Sequence, residues 1–320
     1  MTTLILSSKD MTSLASMRMA TKAVESAFAA HGRGEASMPP KVYLDLEDVG
    51  GDFRAMPARS GTYAGVKWVN SHPQNPQRHG LPTVLGTYIL NDAATARPLA
   101  IMDGTLLTAL RTGAAAGVAS KYLAPKHPKT LGVVGCGAQA SFIVEAHRVF
   151  WPDIDVLLFD RSMEAMERSV ASFGATASSL EVVAASDIVC TGTPSREPVV
   201  YPNMLGTNVH INAMGADAEG KQELDAGILG ASRVVIDDVA QAAHSGEINV
   251  PLHKGEFALD DVSAVLGEIV AGLKPGRLDD DGWTVFDSTG LAIQDLFLAA
   301  EIYQAALAAD VGHSIDLVGC

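Results

Sequence analysis

The chain has 320 residues, of which 48% are hydrophobic and 19% charged, with 37 acidic against 23 lysine and arginine side chains and a formal net charge of −14. That size and apolar content suit a packed globular protein of about two domains. The charge excludes nucleic acid and anionic membranes as main partners, since both are polyanions, and leaves small molecules.

The first residues lack a signal-peptide profile, and nowhere does a charge-free apolar run reach about 18 residues, so a cytoplasmic location is expected. Leu4 to Leu6 reads as a short strand. Ser7 or Ser8 then caps one helix whose apolar positions Met11, Leu14, Met17, Ala20, Val24 and Phe28 follow the helical period, with Gly32 and Gly34 ending it. From Lys41 to Met102 short β-like runs take over: Val42 to Leu44, Phe53 to Met56, Tyr63 to Val69, Thr83 to Leu90 and Pro98 to Met102, with a turn at Asn91-Asp92. They predict an α+β unit on an antiparallel or mixed sheet. Thr105 to Tyr122 reads as a helix in which Gly113, Ala114, Ala115, Ala116 and Gly117 allow close packing on a neighbour, and Pro125 to Pro128 marks the expected domain boundary.

From Leu131 the rhythm changes to strand, helix, strand, with strands at Leu131 to Val134, Val156 to Phe159, Ile188 to Thr191, Val209 to Met214, Val234 to Asp237 and Val285 to Asp287. Such alternation indicates an α/β fold with a parallel sheet covered by helices. The last helix, Gly290 to Ala309, is apolar nearly all round and should be buried, against the first domain or a subunit interface.

Gly135-Cys136-Gly137-Ala138-Gln139-Ala140 follows the first of these strands directly. The first glycine permits a tight turn, the second lets backbone N–H groups approach a pyrophosphate at the positive end of the next helix, and Ala140 fills the third small position. Asp160 closes the next strand 25 residues after Gly135, where a carboxylate accepts from the adenosine ribose hydroxyls of NAD. Arg161 beside it suits a 2′-phosphate, which keeps NADP as the alternative cofactor. Cys136, Cys190 and Cys320 lie far apart without disulfide or metal-like spacing, and no metal site is expected.

Several polar residues stand in apolar surroundings. Lys67, beside Trp68 in a strand-like run, is either an outward-facing lysine or a desolvated one whose lowered pKa fits proton transfer. Arg111 lies in a helix of small and apolar residues and needs an anion, either a carboxylate side chain or a substrate carboxylate. Lys41 and Arg54 are surface cations or further clamps on the same anion. Asp217 follows Val209 to Met214 at the carboxyl end of a parallel strand, where open α/β sheets bind ligands; a turn or capping aspartate is the competing reading. His72 is an acid/base candidate, although Ser71-His72-Pro73 reads more readily as a turn.

Arg111-Thr112-Gly113-Ala114-Ala115-Ala116-Gly117, the Gly135 turn, Asn212-Ala213-Met214-Gly215-Ala216-Asp217 and Lys221-Gln222-Glu223-Leu224-Asp225 together resemble the ornithine cyclodeaminase/mu-crystallin family. Pro39 to Leu44, Gly51 to Pro57 and Gly65 to Pro73 look most like its archaeal-type alanine dehydrogenase branch. The resemblance implies a homodimer, a discontinuous substrate-binding and dimerisation domain at 1–120 and 300–320, and an NAD-binding Rossmann domain at 121–299. It implies Lys41, Lys67 and Arg111 on the substrate carboxylate and Lys67 and Asp217 in catalysis, with Arg54 a further candidate for the carboxylate clamp. Gly135, Gly137, Ala138, Gln139, Asp160, Arg161, Thr112, Thr191, Met214 and Gly215 are the implied cofactor contacts. Cyclodeaminases of the family carry glutamate where this chain has Arg54, so repulsion of a side-chain ammonium favours a small neutral amino acid. A cyclodeaminase, a ketimine reductase or opine-type dehydrogenase, and a non-catalytic crystallin-like nucleotide-binding protein are the rival expectations.

Overall fold

The computed structural model describes residues 2–319, so Cys320 lies outside the described residues. The chain divides into two compact units, one made of residues 1–111 and 291–320, the other of 112–290.

The first unit is built on an eight-stranded mixed sheet. Its central strands Gly51–Ser60, Tyr63–Ser71, Gly86–Asp92 and Pro98–Asp103 pair antiparallel in sequence order, while Thr3–Leu6 adds to the last of them in parallel. Two helices, Met17–Gly32 and Ala292–Ala309, pack together, and the second also packs on the three strands that carry Arg54, Lys67 and Tyr88. The single N-terminal helix expected from the periodicity is two, Ser8–Leu14 and Met17–Gly32. Ser16 breaks it: its side chain accepts from Met19 N (3.2 Å) as a new N-cap while Ala15 is extended. A serine hydroxyl that satisfies a helix-end N–H competes with continuing the previous helix. The last helix is buried along one face, its Ile293, Leu296, Leu298 and Ile302 all at 1% exposure or less, while its last turns are exposed and Leu307 is 53% exposed.

The second unit is a fully parallel eight-stranded sheet. The strand Thr130–Val134 has Asp155–Phe159 on one side and Ile188–Thr191 on the other. The chain thus winds outward one way and crosses back to build the other half, which creates a crevice at the carboxyl ends of Thr130–Val134 and Ile188–Thr191. The helix Ala140–Phe150 leaves the glycine turn and packs on the second half of Gly104–Leu123. A Cβ on Gly113 would lie 2.4 Å from the Phe142 carbonyl oxygen, so the small-residue run serves the close approach expected of it.

The unit boundary falls between Arg111 and Thr112, inside that long helix, not at Pro125 to Pro128 or residue 120. The other boundary, Gly290/Leu291, precedes the last helix, so all of that helix belongs with the first unit. Both shifts follow from packing: Gly113 and Gly117 lie against Phe142 and Ala146, while Ala292–Ala309 packs on Met17–Gly32 and on the strands of the first unit. No helix among the described residues is long and apolar enough to cross a membrane.

Candidate active site

Strand alternation sends Lys67 and Trp68 to opposite faces. Trp68 is 44% exposed and stacks on Phe53, with ring centroids 5.1 Å apart. Lys67 is fully buried under the last helix, so it is desolvated by that helix and not by Trp68. Its Nζ lies 2.8 Å from both oxygens of Asp295. Asp295 sits in the first turn of Ala292–Ala309, where the helix dipole favours an anion. Arg111 shares it: Nε is 3.4 Å from Asp295 Oδ1, and Nη1 donates to Gln294 Oε1 at 3.3 Å. Gln294 Oε1 also accepts from Leu291 N, which fixes the amide orientation.

Lys67 and Arg111 place two cations against one carboxylate. Burial drives Lys67 down to about 7, the Arg111 and Lys41 charges push the same way, and Asp295 opposes them. Among the described residues, Arg111 Nε, Gln294 Nε2 and the Tyr88 hydroxyl lack a hydrogen-bond acceptor, and Asp295 Oδ2, though ion-paired with Lys67, lacks a hydrogen-bond donor. Tyr88 stands opposite Lys67 in the strand register. An unsatisfied buried donor costs about 1–3 kcal/mol, so the cluster is arranged for an acceptor-rich anion such as a carboxylate.

The other sequence candidates differ. Lys41 stands half-buried just before the strand Val42–Leu46 and acts on Lys67 through its charge. Arg54 is buried, but Nε and Nη2 reach Asp52 Oδ1 and Oδ2 at 3.1 and 2.8 Å, and its guanidinium lies over the Tyr43 ring. Arg54 is thus paired with Asp52 and does not stand as a lone second cation. Both Asp52 oxygens are engaged by Arg54. His72 closes the strand end, its Nδ1 2.6 Å from Asn70 Nδ2 and its ring edge-on to Phe53.

In the second unit, Gly135, Gly137, Asp160 and Arg161 line a cavity of about 390 Å³ at the crevice, together with Gly192 and Thr193. Gly135 has φ +103°, and a Cβ there would sit 2.7 Å from Gly192 O. A Cβ on Gly137 or Gly192 would meet nothing within 4 Å, so both backbones border open space. Gln139 supplies no side-chain cap to Ala140–Phe150, which leaves that helix start to the turn. Asp160 accepts from Cys136 N and Ser162 N, both at 2.8 Å, and is tied to the turn it was expected to serve. Thr112, Ala138, Gln139, Thr191, Met214 and Gly215 do not line the cavity; the Thr191 hydroxyl donates to Glu223 instead.

Asp217 lies in the loop after Val209–Ala213, and Lys221 Nζ is 2.5 Å from its Oδ1. Asn249 pins that loop by accepting from Gly220 N and donating to Lys221 O, both at 3.0 Å. Asp295, Gln294 and Tyr88 were not among the sequence candidates, and Lys221 and Glu223 stood there only as part of a family motif with no role of their own. Gln294-Asp295 did carry a signal, a polar pair in an otherwise apolar helix, whereas Glu223 sat in a stretch with the texture of a loop.

The sequence profile of the ornithine cyclodeaminase/mu-crystallin family matches residues 1–310. Alanine dehydrogenase of Archaeoglobus fulgidus is 49% identical over 320 residues, 98% of each chain. The structure of an archaeal alanine dehydrogenase dimer with bound NAD superposes with a TM-score of 0.95 at 48% identity, covering 99% of this chain and all of that one. Δ1-pyrroline-2-carboxylate reductase of Thermococcus litoralis, in complex with NADH and L-proline, gives 0.91 at 34% identity over 98% of this chain and 100% of its own. With a Rossmann-type parallel sheet, a glycine turn at its crevice and sequence matching along almost its whole length, this chain belongs to the ornithine cyclodeaminase/mu-crystallin family.

Proposed function

We propose that this protein catalyses the reversible, NAD-dependent oxidative deamination of a small neutral L-amino acid, L-alanine first. In balance, L-alanine, NAD⁺ and water give pyruvate, ammonium, NADH and a proton. The observation that carries the reading is the buried Lys67–Asp295–Arg111 cluster, in which Lys67 and Arg111 share one carboxylate and Gln294 Nε2 and the Tyr88 hydroxyl have no acceptor among the described residues. The similarity to an alanine dehydrogenase at 49% identity supports it.

The cavity fits a dinucleotide because Gly137 and Gly192 border open space, while Asp160 stands at the strand end where ribose hydroxyls are read. Gly135, Gly137, Ala138 and Gln139 would hold the pyrophosphate, and Asp160 the adenosine ribose, with Arg161 beside it. Thr191, Met214 and Gly215 would act by shaping the adjoining loops, and Thr112 from the start of the small-residue run. NAD, when bound, supplies the hydride acceptor for the substrate Cα.

Arg111, with Lys41, holds the substrate carboxylate and orients Cα. Lys67 is poised near pH 7 and, as the neutral amine, takes a proton at Nζ from the water that attacks the oxidised carbon. Asp217, paired with Lys221, handles the proton of the departing ammonia. The Arg54–Asp52 pair offers no free carboxylate oxygen to a side-chain ammonium, which favours a small neutral substrate.

The test mixes pure protein with NAD or NADP and a panel of L-amino acids at alkaline pH. NADH formation with L-alanine and little response to ornithine or lysine is expected. A cyclic product from ornithine or lysine without net NADH would replace this reading with a cyclodeaminase, and silence on every substrate with tight dinucleotide binding would favour a non-catalytic protein.

A further inference from the structure

We infer that Glu223 is a positioning residue for the dinucleotide, holding the two strand-end loops that shape the cavity without touching the ligand. The inference rests on the cavity being the dinucleotide site. Glu223 is fully buried, and its two oxygens take three donors, one at the end of the strand Ile188–Thr191 and two from the loops after that strand and after Val209–Ala213. Oε2 accepts from the Thr191 hydroxyl at 2.6 Å and from Gly215 N at 2.8 Å, and Oε1 accepts from Thr193 N at 2.6 Å. Thr193 and Gly192 line the cavity, and Gly135 leans on Gly192 so closely that a Cβ would stand 2.7 Å from its carbonyl oxygen. Thus the carboxylate of Glu223 sets the loop against which the glycine turn rests. Gly215 is pressed into the same space, because a Cβ there would lie 2.3 Å from Thr193 O and 2.6 Å from the Glu223 carboxyl.

Glu223 is itself anchored by a relay of buried acids. Glu247 accepts from Glu223 N and Leu224 N, the closer contacts being 2.9 and 2.6 Å. Asp287, at the end of the strand Trp283–Asp287, accepts from Glu247 N at 2.8 Å and Ile248 N at 3.1 Å. Each carboxylate ties down the backbone of the next, so the cavity wall is referenced to the sheet. Burial pushes the Glu223 and Glu247 carboxyls upward, and their hydrogen-bond donors oppose the shift. Such clips are not confined to the crevice: Asp187, at the opposite end of the sheet, accepts from Lys129 N and Thr130 N at 2.7 and 3.0 Å. That distant clip separates positioning from general stability.

The experiment compares wild type, Glu223→Gln and Asp187→Asn for NADH affinity by fluorescence titration, for the KM of NAD and of L-alanine, and for thermal stability. Gln replaces one acceptor oxygen with a donor that faces the loop amides or the Thr191 hydroxyl. Glu223→Gln should weaken NADH binding and raise the KM of NAD on the order of tenfold to 100-fold, with the KM of L-alanine much less affected. Asp187→Asn should lower thermal stability and leave NADH affinity alone. If Glu223→Gln does not fold, Thr191→Val removes one donor only and should raise the NAD KM severalfold. Wild-type NADH affinity in a folded Glu223→Gln, or in Thr191→Val when that stands in for it, overturns the positioning role. So does equal loss of NADH affinity in Asp187→Asn. A wild-type protein that binds neither NADH nor NADPH overturns the dinucleotide reading and this inference with it.

Discussion

Lys67 is an ordinary residue type made unusual by its neighbours. Burial and the Arg111 charge lower its pKa to about 7, and Asp295 resists the fall. The unfolded chain therefore binds this proton below about 10.5, but the folded chain only below about 7. Between those values stability rises with pH, and below 7 the penalty for burying the ammonium is constant. The same titration should appear in catalysis. kcat/KM should rise with pH through an apparent pKa near 7, and kcat through a higher one, because a bound carboxylate favours the ammonium form. Arg111→Met removes a depressing charge, so the kcat/KM limb should move to more alkaline pH while the amino-acid KM rises about 100-fold or more. Asp295→Asn removes the raising charge and should move the limb the other way. Initial-rate pH profiles of the three proteins check both signs; limbs that stay in place would remove Lys67 from the proton-transfer role. Lys67, Arg111 and Asp160 were legible as candidates because each stands out against its local texture. Asp295, 228 positions from Lys67, was not, because no local pattern links them.

Elements follow their local sequence closely except where two signals compete. The glycine turn, the parallel strands and the small-residue helix were all readable, since strand runs, turn glycines and helix periodicity are short-range features. The split of the N-terminal helix at Ser16 was hidden because the apolar spacing continues across it while the cap does not. Gly113 illustrates an element defined by its partner. Replacement by alanine improves helix propensity but forces Gly104–Leu123 away from Phe142. Gly113→Ala should therefore lose about 1–3 kcal/mol of stability in urea unfolding, opposite to what propensity predicts. Unchanged or increased stability would mean that the helix contact relaxes without cost.

At the scale of the molecule, the exposed face of the first unit's sheet carries Val42 and Trp68 in one cross-strand row through Ala55, with Leu44 alongside. These three are 63%, 44% and 53% exposed, and contiguous apolar area of this kind marks an interaction surface. We propose it as part of the interface of the homodimer that the family resemblance implies; the similar archaeal alanine dehydrogenase is a dimer. Leu44→Lys should shift sedimentation toward monomer with the fold intact by circular dichroism; an unaltered dimer would place the interface elsewhere.

The sequence by itself determined the α/β class, the glycine turn with its acidic residue and the family, because these rest on residues adjacent in the chain or on motifs repeated along it. Only the tertiary structure decided the protonation of Lys67, the pairing of Arg54 with Asp52 and the relay through Glu223. It also placed the unit boundary inside a helix. A buried charge takes its energy from whatever lies within a few ångströms, and here those neighbours are tens to hundreds of residues away in the chain.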